Sequence, residues 1–292
     1  MHLLYFQKGF NYSQDGPGNR LVYHLQGCNL HCPWCANPEG MPFQPPLMQH
    51  SPILPTYLCP HGAISAEGVR DRQQCQLCTD RQCLTRFRNT HLTCAGKQTP
   101  IGEIAKEIQD ASPLFIDGGG VTFTGGEATM QFEPLKLLLE LLSDTGIHTA
   151  IETNGTNPRL PELIPYLRYC IGDYKHYDAK KLRTVTGAEL SVIERNLTTL
   201  AQAGIPMLVR ILLVHHFNDS PADIDGFLSA IQPLHRHNPK LSIEFLSYHE
   251  YGKIKWEQCG LPYPMEDGFV TPDRVKAFEA AFLAAGIPVI KT

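Results

Sequence analysis

Three cysteines on one short segment constrain this chain more than any other feature. The segment reads GCNLHCPWCANPE, with the spacing Cys28-x3-Cys32-x2-Cys35. It follows residues 20–26 (RLVYHLQ), whose apolar character predicts a strand. Three thiolates on one loop can bind three irons of a cubane. The fourth iron then has no protein ligand and is open to the amine and carboxylate of an amino acid. A zinc ion is the competing reading. It calls for a fourth ligand and more often uses paired CxxC spacing; His24 or His31 could supply that ligand.

The remaining cysteines support metal chemistry over disulfides. Of ten, eight fall between Cys28 and Cys94, and only Cys170 and Cys259 lie outside. A disulfide scaffold spreads its bridges along the chain and usually belongs to a small secreted domain.

At 292 residues the chain suits one α/β barrel. Three blocks are expected: residues 1–40, the start of the barrel with the cysteine loop; 41–98, a Pro-, Gln- and Cys-rich insertion held together by something other than a hydrophobic core; and 99–292, the remainder of the barrel. In the last block, apolar runs at 121–124, 149–153, 169–173, 207–214 and 241–245 read as strands. Helices are expected at 100–108, after a Thr99 cap with Pro100 in the first turn, and at 134–143, 193–203, 224–234 and 272–285. Helical crossovers imply parallel strands. About six βα units are too few for a closed eight-stranded barrel, so the expected fold is α/β, a partial (β/α)6 barrel.

The net charge of −4 and pI near 6.3 do not suggest nucleic acid or an anionic membrane as the main partner. There is no run of about 18 apolar residues and no secretory-signal pattern, so a cytoplasmic protein is expected.

Several polar residues stand out against apolar strands. Gly125 and Gly126 close a strand and allow close backbone approach to a ligand, and Glu127 can accept from an ammonium group. Asp173 and Lys175 alternate onto one face, toward a lumen, either as ligand contacts or as a structural ion pair. Arg210 interrupts MLVRILLV, where its head must reach an anion. Trp34 sits where an aromatic ring could pack beside a base.

The sequence resembles the radical S-adenosylmethionine (SAM) enzymes, and more narrowly the glycyl-radical-enzyme activating enzymes of the pyruvate formate-lyase activase type. The resemblance spans nearly the whole chain. It rests on DGPGNR (15–20), CANPEG after the cysteines, GGGVTFTGGE (118–127), ETNG (152–155), DYKHYD (173–178) and YHEYGKIKW (248–256). It implies a [4Fe–4S] cluster on Cys28, Cys32 and Cys35 that reductively cleaves SAM. The resulting radical takes a hydrogen atom from a glycine of a partner glycyl radical enzyme, for use in anaerobic chemistry. A flavodoxin or ferredoxin is the implied electron donor.

The resemblance also assigns residues. The Gly125–Gly126–Glu127 motif would hold the SAM amine, and Lys175, Arg210 and His249 would contact SAM. Asp173 and Glu152 would help hold a monovalent cation near the SAM carboxylate, although some relatives have Asp where Glu152 stands. Asp15 would lie near the entry of the peptide substrate; a plain turn is the alternative. His215 and His216 fall where relatives often carry Pro-Gly, and no role follows for them.

Relatives with a long insertion usually carry two ferredoxin-like cysteine runs. Here the first has decayed to Cys59 before Pro60. The second reads Cys75-x2-Cys78-x4-Cys83, with Cys94 further on. In two-cluster ferredoxins the cysteine preceding Pro ligates the other run's cluster. Cys59, Cys75, Cys78 and Cys83 could therefore hold one auxiliary [4Fe–4S] cluster. Cys94 is the alternative fourth ligand and zinc the competing metal. Two other functions stay open: a radical SAM enzyme acting on a small molecule, against which DGPG and YHEYGKIKW argue, and a non-catalytic ferredoxin-like electron carrier.

Overall fold

The apolar runs between residues 20 and 247 form one sheet covered by helices. A computed structural model describes residues 1–53, 59–85 and 91–292. Its strands are β1 (His2–Tyr12), β2 (Asn19–Leu25), β3 (Leu47–Gln49), β4 (Leu92–Cys94), β5 (Lys97–Pro100), β6 (Gly120–Gly125), β7 (His148–Thr153), β8 (Tyr169–Asp173), β9 (Met207–Leu213) and β10 (Leu241–Ser247). The main sheet has the order β10-β9-β8-β7-β6-β2-β1-β5. From β2 to β10 its six strands are parallel, as expected for a partial barrel. Their C-terminal ends therefore lie along one edge, where the cysteine loop leaves β2.

The other end of the sheet was not foreseen. β1 pairs antiparallel with both β2 and β5. Only the first half of β1 is buried, so its outer half lacks the alternation that marks a half-buried strand. Thr99 is not a helix cap. It is buried in β5, and the following helix starts at Ile101.

The helices are α1 (Arg72–Gln76), α2 (Gln82–Thr85), α3 (Ile101–Asp110), α4 (Phe132–Leu142), α5 (Ala179–Thr186), α6 (Leu190–Gln202), α7 (Pro221–His237), α8 (Lys253–Cys259) and α9 (Pro272–Ala284). α4 buries Leu135, Leu138, Leu139 and Leu142 in the main core. Each such side chain is worth about 1.5–3 kcal/mol. α7 starts with a capping box between Ser220 and Asp223. α5 was not expected, because it is short and mostly polar. Its ends are nevertheless marked: the Asp178 carboxylate caps it, and Gly187 takes the left-handed C-cap at φ 82.

Within the insertion, β3 and β4 form a separate antiparallel pair. Contrary to expectation there is a small core, in which Leu47, Ile53, Ala63, Ile64 and Leu92 pack with Cys75 and Cys83. The segment from Lys97 belongs to the main sheet through β5. No helix among the described residues is long and apolar enough to cross a membrane.

Candidate active site

The cysteine loop is pinned from both sides. Gly27 and Cys28 donate to the carbonyls of Gly40 and Met41, each at 2.8 Å. Across the loop lies the YHEYGKIKW segment. Trp256 Nε1 donates to the Cys35 carbonyl at 2.9 Å, and Lys255 Nζ reaches Asn37 Oδ1 and Glu39 Oε1, both at 2.7 Å. Gly252 is a glycine for a steric reason: a Cβ there would lie 2.7 Å from the Cys35 carbonyl oxygen and from Ala36 Cα.

Burial raises all three thiols, Cys28 to about 11, Cys35 to about 12, and Cys32 in the same direction. Each of Cys28 and Cys35 also feels Cys32 as a like charge. Thiols so placed ionise readily only when a cation neutralises them. The Leu30 N–H points at Cys28 Sγ at 3.4 Å, and Asn154 Nδ2 lies 4.0 Å from the same sulfur. Among the described residues, no trio of metal-ligating atoms that includes any of these sulfurs closes to within 4.8 Å. His24 instead lines a different cavity, its ring 5.7 Å from Phe6.

Two adjoining cavities lie at the C-terminal edge of the strands. The first, of about 240 Å³, is lined by the three cysteines together with Trp34, Gly125, Gly126, Asp173, Lys175 and His249. The second, of about 230 Å³, is lined by Asp15, Glu127, Glu152 and Arg210 and shares Gly125, Gly126, Asn154 and Asp173 with the first. Between them they collect every candidate SAM-site residue. A Cβ on Gly126 would lie 2.4 Å from the Gly27 carbonyl oxygen, so the strand end must stay bare to pass the cysteine loop.

The charges in these cavities are answered by protein groups. Lys175 Nζ is 2.8 Å from Asp173 Oδ2. Burial disfavours the ammonium, but the Asp173 carboxylate outweighs it and holds Lys175 protonated. Arg210 Nη1 pairs with Glu152 at 2.6 Å, and Nε with Glu244 at 2.8 Å. Asp15 lies 3.9 Å away, and the Gln14 carbonyl also accepts from Arg210. Glu152 accepts a further bond from Thr124 Oγ1 at 2.7 Å.

Glu127 borders the second cavity, but its carboxylate is taken up by protein donors. Its carboxylate accepts from Thr129 N and Oγ1 (3.0 and 2.5 Å), Thr153 Oγ1 (2.8 Å) and Asn154 N (2.7 Å). Burial raises its pKa against these hydrogen bonds. The carboxylate thus fastens the segment after β6 to the end of β7, and the glycine backbone is the part of the motif that borders both cavities. Trp34 is buried, its ring 4.9 Å from Phe217. His249 stacks on Tyr251 at 4.3 Å.

Sequence reasoning missed Glu244 and Asn154. Glu244 is a lone acid in the apolar strand LSIEFLS and stands directly opposite Arg210 in the parallel register. The oddity that singles out Arg210 therefore marks Glu244 as well.

In the insertion, Cys83 feels Cys75, Cys78 and Cys59 as neighbouring like charges, after burial the main influences on its thiol. Cys94 is engaged elsewhere, its sulfur 2.6 Å from Arg81 Nη1. Cys78 also comes within 4.8 Å of ligand atoms of His61 and Asp80.

Residues 22–228 match the Radical SAM superfamily. The choline trimethylamine-lyase activating enzyme of Oleidesulfovibrio alaskensis is 33% identical, covering 86% of this chain and 85% of that protein. The 4-hydroxyphenylacetate decarboxylase activating enzyme of Clostridioides difficile is 32% identical, covering 94% of this chain and 90% of its own length. The crystal structure of Streptococcus suis SuiB bound to S-adenosylmethionine superposes with a TM-score of 0.54 at 12% identity, over 93% of this chain and 49% of that one. At that identity the likeness is one of fold.

Proposed function

The chain belongs to the radical SAM superfamily and, within it, to the glycyl-radical-enzyme activating enzymes, and from this premise we propose how its own residues serve that activity. Cys28, Cys32 and Cys35 hold the [4Fe–4S] cluster. When bound there, the cluster would supply the electron for reductive cleavage of SAM to methionine and a 5′-deoxyadenosyl group, which would leave as 5′-deoxyadenosine with the hydrogen atom of the partner's glycine Cα. The observation that carries the assignment is the first cavity, where three cysteines share one space with Lys175, Asp173 and a bare glycine strand end.

The donor set favours a cluster over zinc: three thiolates on one loop leave one iron of a cubane open, whereas zinc more often uses paired CxxC spacing. In the first cavity the Gly125–Gly126 backbone would hold the SAM amine, Trp34 and His249 would pack against the adenosine, and Lys175 would answer the carboxylate. Arg210 acts on SAM at one remove, by holding Glu152 and Glu244. Glu152 and Asp173 are the carboxylates available to a monovalent cation. Asp15 lines the second cavity at the mouth through which a peptide glycine enters.

In the insertion, Cys59, Cys75, Cys78 and Cys83 hold an auxiliary [4Fe–4S] cluster. The nearness of Cys59, Cys75 and Cys78 to Cys83 supports this set, and the Arg81 contact of Cys94 argues against the alternative. A flavodoxin or ferredoxin delivers the electron in the cytoplasm, where the free thiols and the reductive step are at home.

The test is isotopic. A candidate glycyl radical enzyme carrying deuterated glycine is incubated anaerobically with the protein, SAM and reductant. Deuterium in the 5′-deoxyadenosine and a glycyl radical signal on the partner are expected. Label-free 5′-deoxyadenosine with every candidate partner would point to a small-molecule substrate instead.

A further inference from the structure

His215 and His216 line neither cavity of the active site. They follow β9 along the same edge of the sheet. Consecutive residues of an extended chain send their side chains to opposite faces. His216 is left-handed, at φ 65, and here the two rings sit side by side, centroids 3.7 Å apart and tilted by 37°. A third group is brought to them by the backbone: His215 N–H donates to the Gly268 carbonyl at 3.1 Å, which sets Asp267 alongside. Ligand atoms of His215, His216 and Asp267 all lie within 4.8 Å of one another.

The surroundings are those of a metal site. Asp219 accepts from His215 Nδ1 at 2.7 Å and from the His216 N–H at 3.2 Å. A carboxylate on one imidazole nitrogen fixes the tautomer and leaves the other as a lone pair directed outward, the usual support of a metal-bound histidine. Neither Asp219 nor Asp267 is ion-paired to a lysine or arginine among the described residues, although Arg274 is near enough to influence His215. His216 and Asp267 are exposed, so an ion can reach them and both side chains can turn to close on it.

We propose that His215, His216 and Asp267 bind a zinc ion, with Asp219 as the positioning carboxylate and solvent completing the tetrahedron. Imidazole and carboxylate ligands suit zinc and its neighbours rather than an iron–sulfur cluster. The ion fastens the β9–α7 loop to the segment after α8. That loop carries Phe217, whose ring lies 4.9 Å from both Trp34 and His176. Zinc would thereby stiffen the backing of the cysteine loop without entering the chemistry.

The test uses the cluster-loaded protein, whose cluster cysteines are occupied, and Zn²⁺ alone as the probe. Equilibrium dialysis with metal analysis is expected to give one zinc per chain beyond the iron, with a rise in melting temperature on adding zinc. His216→Asn, which tolerates the left-handed backbone, and Asp267→Asn should each lose the zinc and the shift. Asp219→Asn should weaken binding about 10–100-fold. His61→Gln, at the separate His61–Cys78–Asp80 group, should bind as the wild type does. The proposal is overturned if the wild type takes up no zinc, if His216→Asn and Asp267→Asn retain it, or if only His61→Gln loses it.

Discussion

Arg210 and Arg20 are two buried arginines handled in opposite ways. Arg210 meets Glu152 and Glu244, which outweigh its burial and keep it charged. Its removal strands two carboxylates, so Arg210→Met should cost about 3–5 kcal/mol in urea melts, and any loss of SAM binding would come with lost stability. A melt matching the wild type, with SAM binding gone, would return Arg210 to direct ligand contact. Arg20, fully buried, forms no ion pair with a carboxylate among the described residues, although Asp15 is near enough to favour its charge. It donates to Thr122 Oγ1 and the Val121 carbonyl, both at 2.7 Å, and faces His148 Nδ1 at 3.2 Å. Burial and the Arg20 charge lower the His148 pKa to about 4. The folded protein thus holds His148 neutral while the unfolded chain protonates it near 6.5. Stability from this group is complete above 6.5 and is lost as pH falls from 6.5 toward about 4. His148→Gln should flatten the pH dependence of the melting temperature in that window; an unchanged slope would show that other groups set it. Arg210 was legible in the sequence because charge in an apolar run needs an answer. What answers Glu127 was not, since its hydroxyl and amide donors come from two separate segments.

Among the elements, the six parallel strands were legible because burial on both faces leaves continuous apolar runs. β1 was not, because half of it faces solvent and its pairing with β5 joins residues far apart in sequence. The short helix α8 was also missed, and it clamps the cysteine loop. Gly252 at its start leaves no room for a methyl group beside Cys35 and Ala36. Gly252→Ala should therefore displace the loop and sharply lower iron retention at the first site, while the circular dichroism of the barrel persists. Full iron content in this variant would mean that the loop yields without consequence.

At the scale of the whole molecule, α8 joins the two cysteine-bearing regions. Trp256 holds the Cys35 carbonyl at one end, and at the other Arg72 of the insertion donates to the Gln258 carbonyl at 3.2 Å. If each region holds a cubane, the reconstituted protein should contain about eight irons per chain, falling to about four in Cys59→Ala. Cys94→Ala should leave the count unchanged. Loss of iron in Cys94→Ala but not in Cys59→Ala would exchange the two ligands, and about four irons with one zinc at the insertion thiols would replace the second cluster by zinc. Dithionite-driven SAM cleavage should survive each insertion variant, because the open iron belongs to the first site. The most direct measurement of the central claim is made there: cluster-loaded protein, dithionite and SAM, with 5′-deoxyadenosine and methionine quantified. Equal amounts of the two are expected from the wild type and none from Cys28→Ala, Cys32→Ala or Cys35→Ala. No 5′-deoxyadenosine from the loaded wild type, or undiminished amounts from any of the three variants, would contradict the account.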